Sequence, residues 1–306
     1  MAIVNTTVPL TAAGCDRIIQ ALAERYPAVS TEFLTATVYQ RPIRALTLGS
    51  GPRKVLYAAA HHANEWITAL VLLKFAEELA AAAEAGETIF GYDAQTLLTQ
   101  ATIHMVPMVD PDGVDLVTGA LAPGDPQYEQ AKAISANFPA ISFPEGWKAN
   151  LLGVDLNLQY PAGWLLAREI KFSQGYTRPA PRDYVGRAPL DQAETIALAA
   201  YTERVDPALV LAYHTQGGEI YWQFRGEAPE GARELGEEFA RISGYTLAEV
   251  AEESAYAGYK DWFIKMFGRP GYTVEAGRGV SPLPLSQFDE IYRDNLGILV
   301  TAAKGS

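Results

Sequence analysis

The chain of 306 residues contains one cysteine, Cys15, and no long apolar run. A single cysteine cannot form an internal disulfide, which excludes the disulfide framework of a small secreted domain. No stretch of about 18 apolar residues, the length that crosses a bilayer, is present. The first ten residues also lack the basic and apolar segments of a signal peptide. We therefore expect a cytoplasmic protein with no membrane-spanning segment.

Basic residues are scarce as well, with 24 Lys and Arg against 36 Asp and Glu and a formal net charge of −12. Nucleic acids and anionic membranes bind to basic surfaces, so the charge argues against both as partners. A small soluble substrate fits this composition better. Hydrophobic residues make up 49% of the chain, which is enough to bury a large core.

Segments with the patterns of strands and helices alternate along the chain without internal repeats. Apolar strands separated by helices are typical of a largely parallel sheet covered on both faces. We predict one α/β domain over residues 1–306, with three α/β/α layers and a mixed, mostly parallel sheet. The expected strands are 44–48, 54–60, 102–108, 208–213 and 272–275. The expected helices are 11–26, 66–83, 231–243, one opened by a capping box at 191–194, and a last one capped by Ser286.

Ionisable residues stand where three of these strands end. His62 and Glu65 follow the first apolar strand that leads into a long helix, His214 follows 208–213, and Glu275 ends the last strand. In such a sheet, ligands bind outside the carboxyl ends of the strands. Two imidazoles and a carboxylate bind Zn²⁺ and leave a position for water, while a second carboxylate takes the water's proton. Taken singly, His214 could instead bond to backbone, and Glu275 could be a solvated turn residue.

Several motifs together resemble the zinc metallocarboxypeptidase (carboxypeptidase A) family over roughly residues 12 to 303. They are, in order, His62-Ala63-Asn64-Glu65-Trp66, Gly153-Val154-Asp155-Leu156-Asn157, the strand before His214, Asp261-Trp262 and Val274-Glu275. Within that family, the segments Trp147–Asn150, Asp155–Trp164 and Glu275–Asp289 resemble the γ-D-glutamyl-meso-diaminopimelate peptidase branch. Relatives there often carry wall-binding modules that these 306 residues do not contain.

The resemblance implies a role for individual residues. His62, Glu65 and His214 would bind one zinc ion per chain, and Glu275 would be the general base. Asp155 would hold His62 through its other ring nitrogen, as buried ligand histidines require. For substrate binding the resemblance implies Asn157, and Tyr256 as the capping tyrosine, with Tyr259 as its rival. Lys260 would lie at the base of the specificity pocket, where an ammonium favours a substrate carboxylate; the alternative is a solvated residue at a helix start.

The chain departs from the family pattern at two positions. Leu158 stands where an arginine usually clamps the terminal carboxylate, and Leu152 stands where the branch usually has an arginine that polarises the scissile carbonyl. Arg225 and Arg278, each near a catalytic strand end, are candidates to replace the second arginine. Other cations, namely Arg41, Lys148 and Arg182, are expected on the solvated surface.

The sequence therefore predicts a zinc peptidase that cleaves the γ-D-glutamyl to meso-diaminopimelate amide of muropeptides. Two other functions are compatible with the same residues. One is a zinc carboxypeptidase or N-deacylase of the same fold with another acidic substrate, and the other is a catalytically impaired sensor that binds muropeptides. The sequence leaves the oligomeric state open.

Overall fold

The computed structural model describes residues 2–251 and 254–305. Their main sheet has eight strands in the order β1-β2-β6-β3-β7-β10-β8-β9, and β4 and β5 form a separate hairpin. The strands are β1 Val29–Ala36, β2 Pro42–Leu48, β3 Arg53–Ala59, β4 Thr88–Ile89, β5 Tyr92–Asp93, β6 Ala101–Val106, β7 Leu209–His214, β8 Glu219–Tyr221, β9 Thr246–Ala248 and β10 Gly271–Glu275.

Ten α-helices flank this sheet in the described part of the chain. They are α1 Ala12–Arg25, α2 Ile67–Ala85, α3 Ala94–Gln100, α4 Pro111–Val117, α5 Pro126–Ser135, α6 Trp164–Ser173, α7 Ala193–Val205, α8 Ala232–Ser243, α9 Tyr259–Phe267 and α10 Phe288–Lys304. Short 3₁₀ turns cover Ala63–Glu65, Leu156–Leu158 and Leu285–Gln287. Within these residues, no helix is both long and apolar enough to cross a bilayer.

The central strands β6, β3, β7 and β10 run parallel, whereas β1, β2 and β8 introduce antiparallel pairs. Alternate residues of β3 enter different cores: Tyr57 packs into the core under α1, α2 and α10, and Leu56 and Ala58 pack into the core under α7 and α9. A strand buried on both faces has a continuous apolar sequence, because neither of its faces is exposed to water. The predicted three-layer α/β/α fold with a mixed sheet is confirmed.

Helix α2 directly follows the segment that contains His62 and Glu65. It is rich in Leu and Ala, which favour helices, and most of its residues are buried. The helix ends at Gly86, whose φ of 68° is a left-handed conformation that glycine adopts without a steric penalty. Helix α1 begins as predicted beside Thr11, whose side chain accepts a hydrogen bond from the Gly14 N–H.

Two predicted helix caps are wrong. Gln287, and not Ser286, precedes α10, and it makes no side-chain capping bond. At α7 the Asp191 carboxylate bonds to the Arg187 N–H and to the Gln192 side chain, and no reciprocal box forms. The carboxyl group of Glu194 turns inward instead, where Asn150 donates to it at 3.2 Å.

Glu194 generates a testable pH dependence. Burial, together with the nearby Asp112 and Asp191, raises its pKa from 4.5 to about 7. Because the folded chain keeps this proton to a higher pH than the unfolded chain, its contribution to the free energy of unfolding falls between pH 4.5 and about 7. We expect Glu194→Gln to remove a loss of about 3 kcal/mol over that window.

The measurement is urea unfolding of both proteins at pH 4.5 and pH 8. Glu203→Gln, on the exposed side of the same helix, is the matched control and should follow the parent. Parallel pH profiles for the parent and Glu194→Gln would contradict the assignment.

Candidate metal and active site

Three adjacent strands place the site at one edge of the sheet. In the parallel register, Glu275 of β10 pairs with His214 of β7, and Tyr213 pairs with Ala59 of β3. His62 follows β3 by three residues, and the 3₁₀ turn Ala63–Glu65 then turns Glu65 back toward it. The strand ends that the sequence predicts to converge therefore do so.

His62, Glu65 and His214 face one point. The Nδ1 atom of His62 lies 3.0 Å from Glu65 Oε1, and the Nδ1 atom of His214 lies 2.9 Å from Glu65 Oε2. The two Nδ1 atoms are 3.2 Å apart. All three residues belong to one group of side chains able to hold a metal ion.

This geometry fits zinc. Bonds of about 2.0 to 2.1 Å in a tetrahedron place neighbouring ligand atoms roughly 3.3 Å apart, close to the three distances here. The two imidazole nitrogens and the carboxylate are all possible metal ligands, and they converge on one point. A shared cation satisfies all three groups, so the donor set suits one zinc ion per chain.

Asp155 supports the first ligand. Its Oδ1 lies 3.1 Å from His62 Nε2, and its Oδ2 accepts the Asp183 N–H at 3.1 Å. Burial alone would raise the pKa of Asp155, but the charge and hydrogen bond of His62, the Asp183 N–H and Lys148 hold it well below its usual range. Burial alone would likewise lower the pKa of His62, but Glu65 and Asp155 raise it to about 9. This pair of carboxylates thus attracts a cation to His62, as a proton or a metal ion.

Glu275 lines the cavity that His62 and His214 border. Burial, reinforced by the negative charge of Glu65, raises its pKa to about 8, while Lys148 and His62 act in the opposite direction. Because a carboxylate with a raised pKa takes up and returns a proton near neutral pH, Glu275 suits a general base.

Lys148 is the main residue that the sequence reasoning missed. Only 18% of its side chain is exposed, and its Nζ lies 2.8 Å from Glu65 Oε1, so its prediction as a surface residue is wrong. Its backbone is fixed on both sides, because Lys148 O accepts the Ala63 N–H and Lys148 N donates to Pro181 O. The sequence signal for Lys148 is the Trp147–Asn150 motif, which contains it and carries part of the resemblance to the branch.

Arg182 also borders the site, since it lines the cavity with Lys148 and Glu275. With 42% of its side chain exposed, it is partly solvated as predicted, but it is part of the site as well. Its Nε donates to Asp183 Oδ2 at 2.6 Å. Arg41 instead pairs with Asp112 and Asp115, with 16% of its side chain exposed.

The two departures from the family pattern have different consequences. Leu152 is half-buried against Val154, Ala180 and Tyr184, outside the cavity. Its apolar side chain therefore does not enter the cavity, whose wall contains the cations Lys148 and Arg182. Leu158 does line the cavity, where it offers only apolar contact.

The predicted substrate-binding residues are divided between two places. Asn157 and Lys260 line the cavity of Glu275, which has a volume of about 270 Å³. Lys260 is buried, with its Nζ 2.6 Å from Gln223 O and in an ion pair with Asp261. Its alternative as a solvated cation is therefore wrong. Tyr221, which the sequence reasoning did not select, also lines this cavity and has its hydroxyl on Glu219.

The remaining candidates lie outside that cavity. Tyr256 is buried in the wall of a neighbouring cavity, and the guanidinium of Arg225 lies 5.5 Å from its ring centre. Tyr259 is buried, with its hydroxyl on Thr202. Arg278 lies on an exposed loop, where its backbone contacts Gln287. Neither Arg225 nor Arg278 is thus positioned in this structure to replace the expected arginine.

Comparison with known proteins agrees with this geometry. A family model described as zinc carboxypeptidase matches residues 15–297. A curated relative, gamma-D-glutamyl-L-diamino acid endopeptidase 1 of Lysinibacillus sphaericus, is 43% identical over 92% of this chain and 69% of its own length. The chain therefore belongs to the zinc carboxypeptidase family, and it is a zinc metallopeptidase.

Solved structures share the fold at much lower identity. Bovine thrombin-activatable fibrinolysis inhibitor superposes with a TM-score of 0.74 at 16% identity, covering 98% of this chain and 97% of that chain. The murein-tripeptide amidase MpaA of Escherichia coli O157 has a TM-score of 0.55 at 19% identity, covering 92% and 95%. The fold thus holds across distant sequences.

The ligand set makes a direct prediction about metal content. His62→Ala removes one of three ligands, so we expect zinc to fall well below one ion per chain on elemental analysis. Asp155→Asn keeps the ligands but weakens the support of His62, and should lower zinc affinity by about 10- to 100-fold. Asp191→Asn, a part-buried carboxylate away from the site, is the control. Full zinc content in His62→Ala would overturn the ligand assignment.

Proposed function

We propose that this protein hydrolyses the γ-D-glutamyl to meso-diaminopimelate amide of muropeptides, within one catalytic domain spanning residues 1–306. The observation that carries the proposal is the 43% identity, over 92% of the chain, to an endopeptidase named for a γ-D-glutamyl-L-diamino acid bond. The cavity supports it: Leu158 offers no charged clamp, whereas the buried Lys260 supplies a cation to the wall that also contains Asn157. An ammonium there suits a carboxylate carried on a substrate side chain, as diaminopimelate has.

The chain's own residues supply the proton chemistry. When bound, zinc polarises a carbonyl group and lowers the pKa of a water molecule. Glu275 accepts a proton from the attacking water at its carboxylate and delivers it to the nitrogen of the leaving amine. Lys148 donates a hydrogen bond to the carbonyl oxygen as negative charge develops on it. Asp155 keeps the His62 ring in one orientation.

The presence of a base, a metal-ligand set and a cation in one cavity favours an enzyme over a binding-only sensor. A peptidase or N-deacylase acting on another acidic substrate is the remaining alternative. We also propose that the protein acts in the cytoplasm. Cell fractionation tests this.

Hydrolysis of L-alanyl-γ-D-glutamyl-meso-diaminopimelate, followed by mass spectrometry, tests the proposal. We expect free diaminopimelate and L-alanyl-D-glutamate from this substrate, and slower cleavage when lysine replaces diaminopimelate. Release of amino acids from ordinary α-linked peptides, with none from the γ-linked substrate, would favour the alternative.

Glu275→Gln tests the base. The amide cannot accept the proton, so we expect turnover to fall by about 10² to 10⁴ while zinc content and thermal unfolding stay near those of the parent. Turnover at the parent's level in a zinc-loaded variant would remove Glu275 from the mechanism.

Lys148→Met tests the cation. Methionine retains much of the apolar length of the side chain but cannot donate to an oxyanion, so kcat should fall by about 10² to 10³. Lys132→Met, on the exposed face of α5, is the control and should keep full activity. An unchanged kcat in Lys148→Met would show that the carbonyl is polarised without it.

A further inference from the structure

A second cavity, whose described wall does not include Lys260, adjoins the reaction centre. It has a volume of about 520 Å³ and shares four wall residues with the first cavity, namely Lys148, Arg182, Tyr221 and Glu275. Its own wall includes Asn64, Ser142 and Thr215. Both cavities therefore open at Glu275, which gives a substrate room on either side of a scissile amide placed there. With the amine side near Lys260, the acyl side enters the second cavity.

Lys148 and Arg182 are the cations in the described wall of this second cavity, and Glu275 is the acid there. Each of these two cations also has an acidic partner behind the wall, Glu65 for Lys148 and Asp183 for Arg182. The Lys148 ammonium is held by Glu65 at 2.8 Å. Arg182 is held less tightly than Lys148. Its side chain is 42% exposed, and among the described residues its hydrogen-bond partner is Asp183, which it contacts through Nε.

The position of Arg182 is fixed from both sides. The carbonyl of Pro181, the preceding residue, accepts the N–H groups of Lys148 and Ala149, and the N–H of Asp183 donates to Asp155. Asp183 is itself held by Lys171 at 2.7 Å. Arg182 thus borders both substrate cavities from a backbone that is hydrogen-bonded on either side, and a guanidinium offers a planar fork that matches a carboxylate.

We infer that Arg182 binds the free α-carboxylate of the γ-D-glutamyl residue, and that the enzyme thereby discriminates against muropeptides in which this carboxylate is amidated. The inference rests on the proposed function. In a γ-linked glutamyl residue the α-carboxylate lies four bonds from the scissile carbonyl carbon, roughly 5 Å when extended. This length brings the α-carboxylate to the part of the wall that Glu275, Lys148 and Arg182 share in both cavities.

Two substrates and three zinc-loaded proteins test the inference. The substrates are L-alanyl-γ-D-glutamyl-meso-diaminopimelate and its analogue with a carboxamide in place of the glutamyl α-carboxylate. The proteins are the parent, Arg182→Gln, and the control Arg178→Gln, an exposed arginine on the same loop. We expect the parent and Arg178→Gln to prefer the acid by about 10- to 100-fold in kcat/KM. Arg182→Gln should lose that factor on the acid and change less than about threefold on the amide.

The ratio of the two substrates separates recognition from a structural effect. If the parent cleaves both substrates equally, or if Arg182→Gln slows both by the same factor, the inference is overturned. If the parent cleaves neither, the proposed function itself fails. Zinc content and thermal unfolding of Arg182→Gln are expected to match those of the parent, because Lys171 still pairs with Asp183.

Discussion

The carboxylate of Glu65 is the interaction on which the whole site depends. Its side chain is 1% exposed, and burial of an unpaired charge of this kind is prohibitive. Four donors or ligands meet it: His62, His214, Lys148 and the Thr215 N–H. They come from three separate parts of the chain, and so the charge can be buried only after β3, β7 and the segment before Asn150 have assembled.

The same carboxylate explains why the site is held rigidly. Removal of one partner from a buried ion cluster typically costs several kcal/mol, because the remaining charges are left uncompensated. Burial opposes the charged form of Glu65, yet His62, Lys148 and the hydrogen bonds of both histidines hold its pKa well below the usual range. Asp155 extends the cluster to Asp183 through a backbone N–H. The residues that bind the metal and those that line the substrate cavities thus form one electrostatic unit.

The sequence predicted the parts of this unit that follow from strand periodicity. His214 and Glu275 end apolar strands, and the parallel register of β7 and β10 brings them side by side. Strand β1 escaped prediction because most of its residues face solvent at the sheet edge, and β8 and β9 because each has only three residues. Short or polar strands carry little periodic signal, since their pairing is set by the neighbouring strands.

Lys148 and Arg182 could not be assigned in this way because neither belongs to a periodic element. Each lies in irregular chain between α5 and α7. Lys148 is placed by the bond of its N–H to Pro181 O, and Arg182 is placed by the bonds of its neighbours, Pro181 O and the Asp183 N–H that donates to Asp155 Oδ2. Nothing in the spacing of residues reports such bonds. The same limit applies to Leu152, whose position in the sequence suggested the reaction centre although its side chain packs against Ala180 and Tyr184.

The net negative charge of the whole protein limits how the cations of the two cavities can act on an acidic substrate. A chain with a net charge of −12 does not attract an acidic peptide over long distances, and salt screens such interactions beyond about 10 Å. Discrimination must then come from short-range contacts inside the cavities, where Lys148, Arg182 and Lys260 are each already paired with an acid. A substrate carboxylate has to complete these pairs in the right geometry, because a misplaced charge would disturb them. Specificity in this site therefore depends on the positions of fixed cations more than on their number.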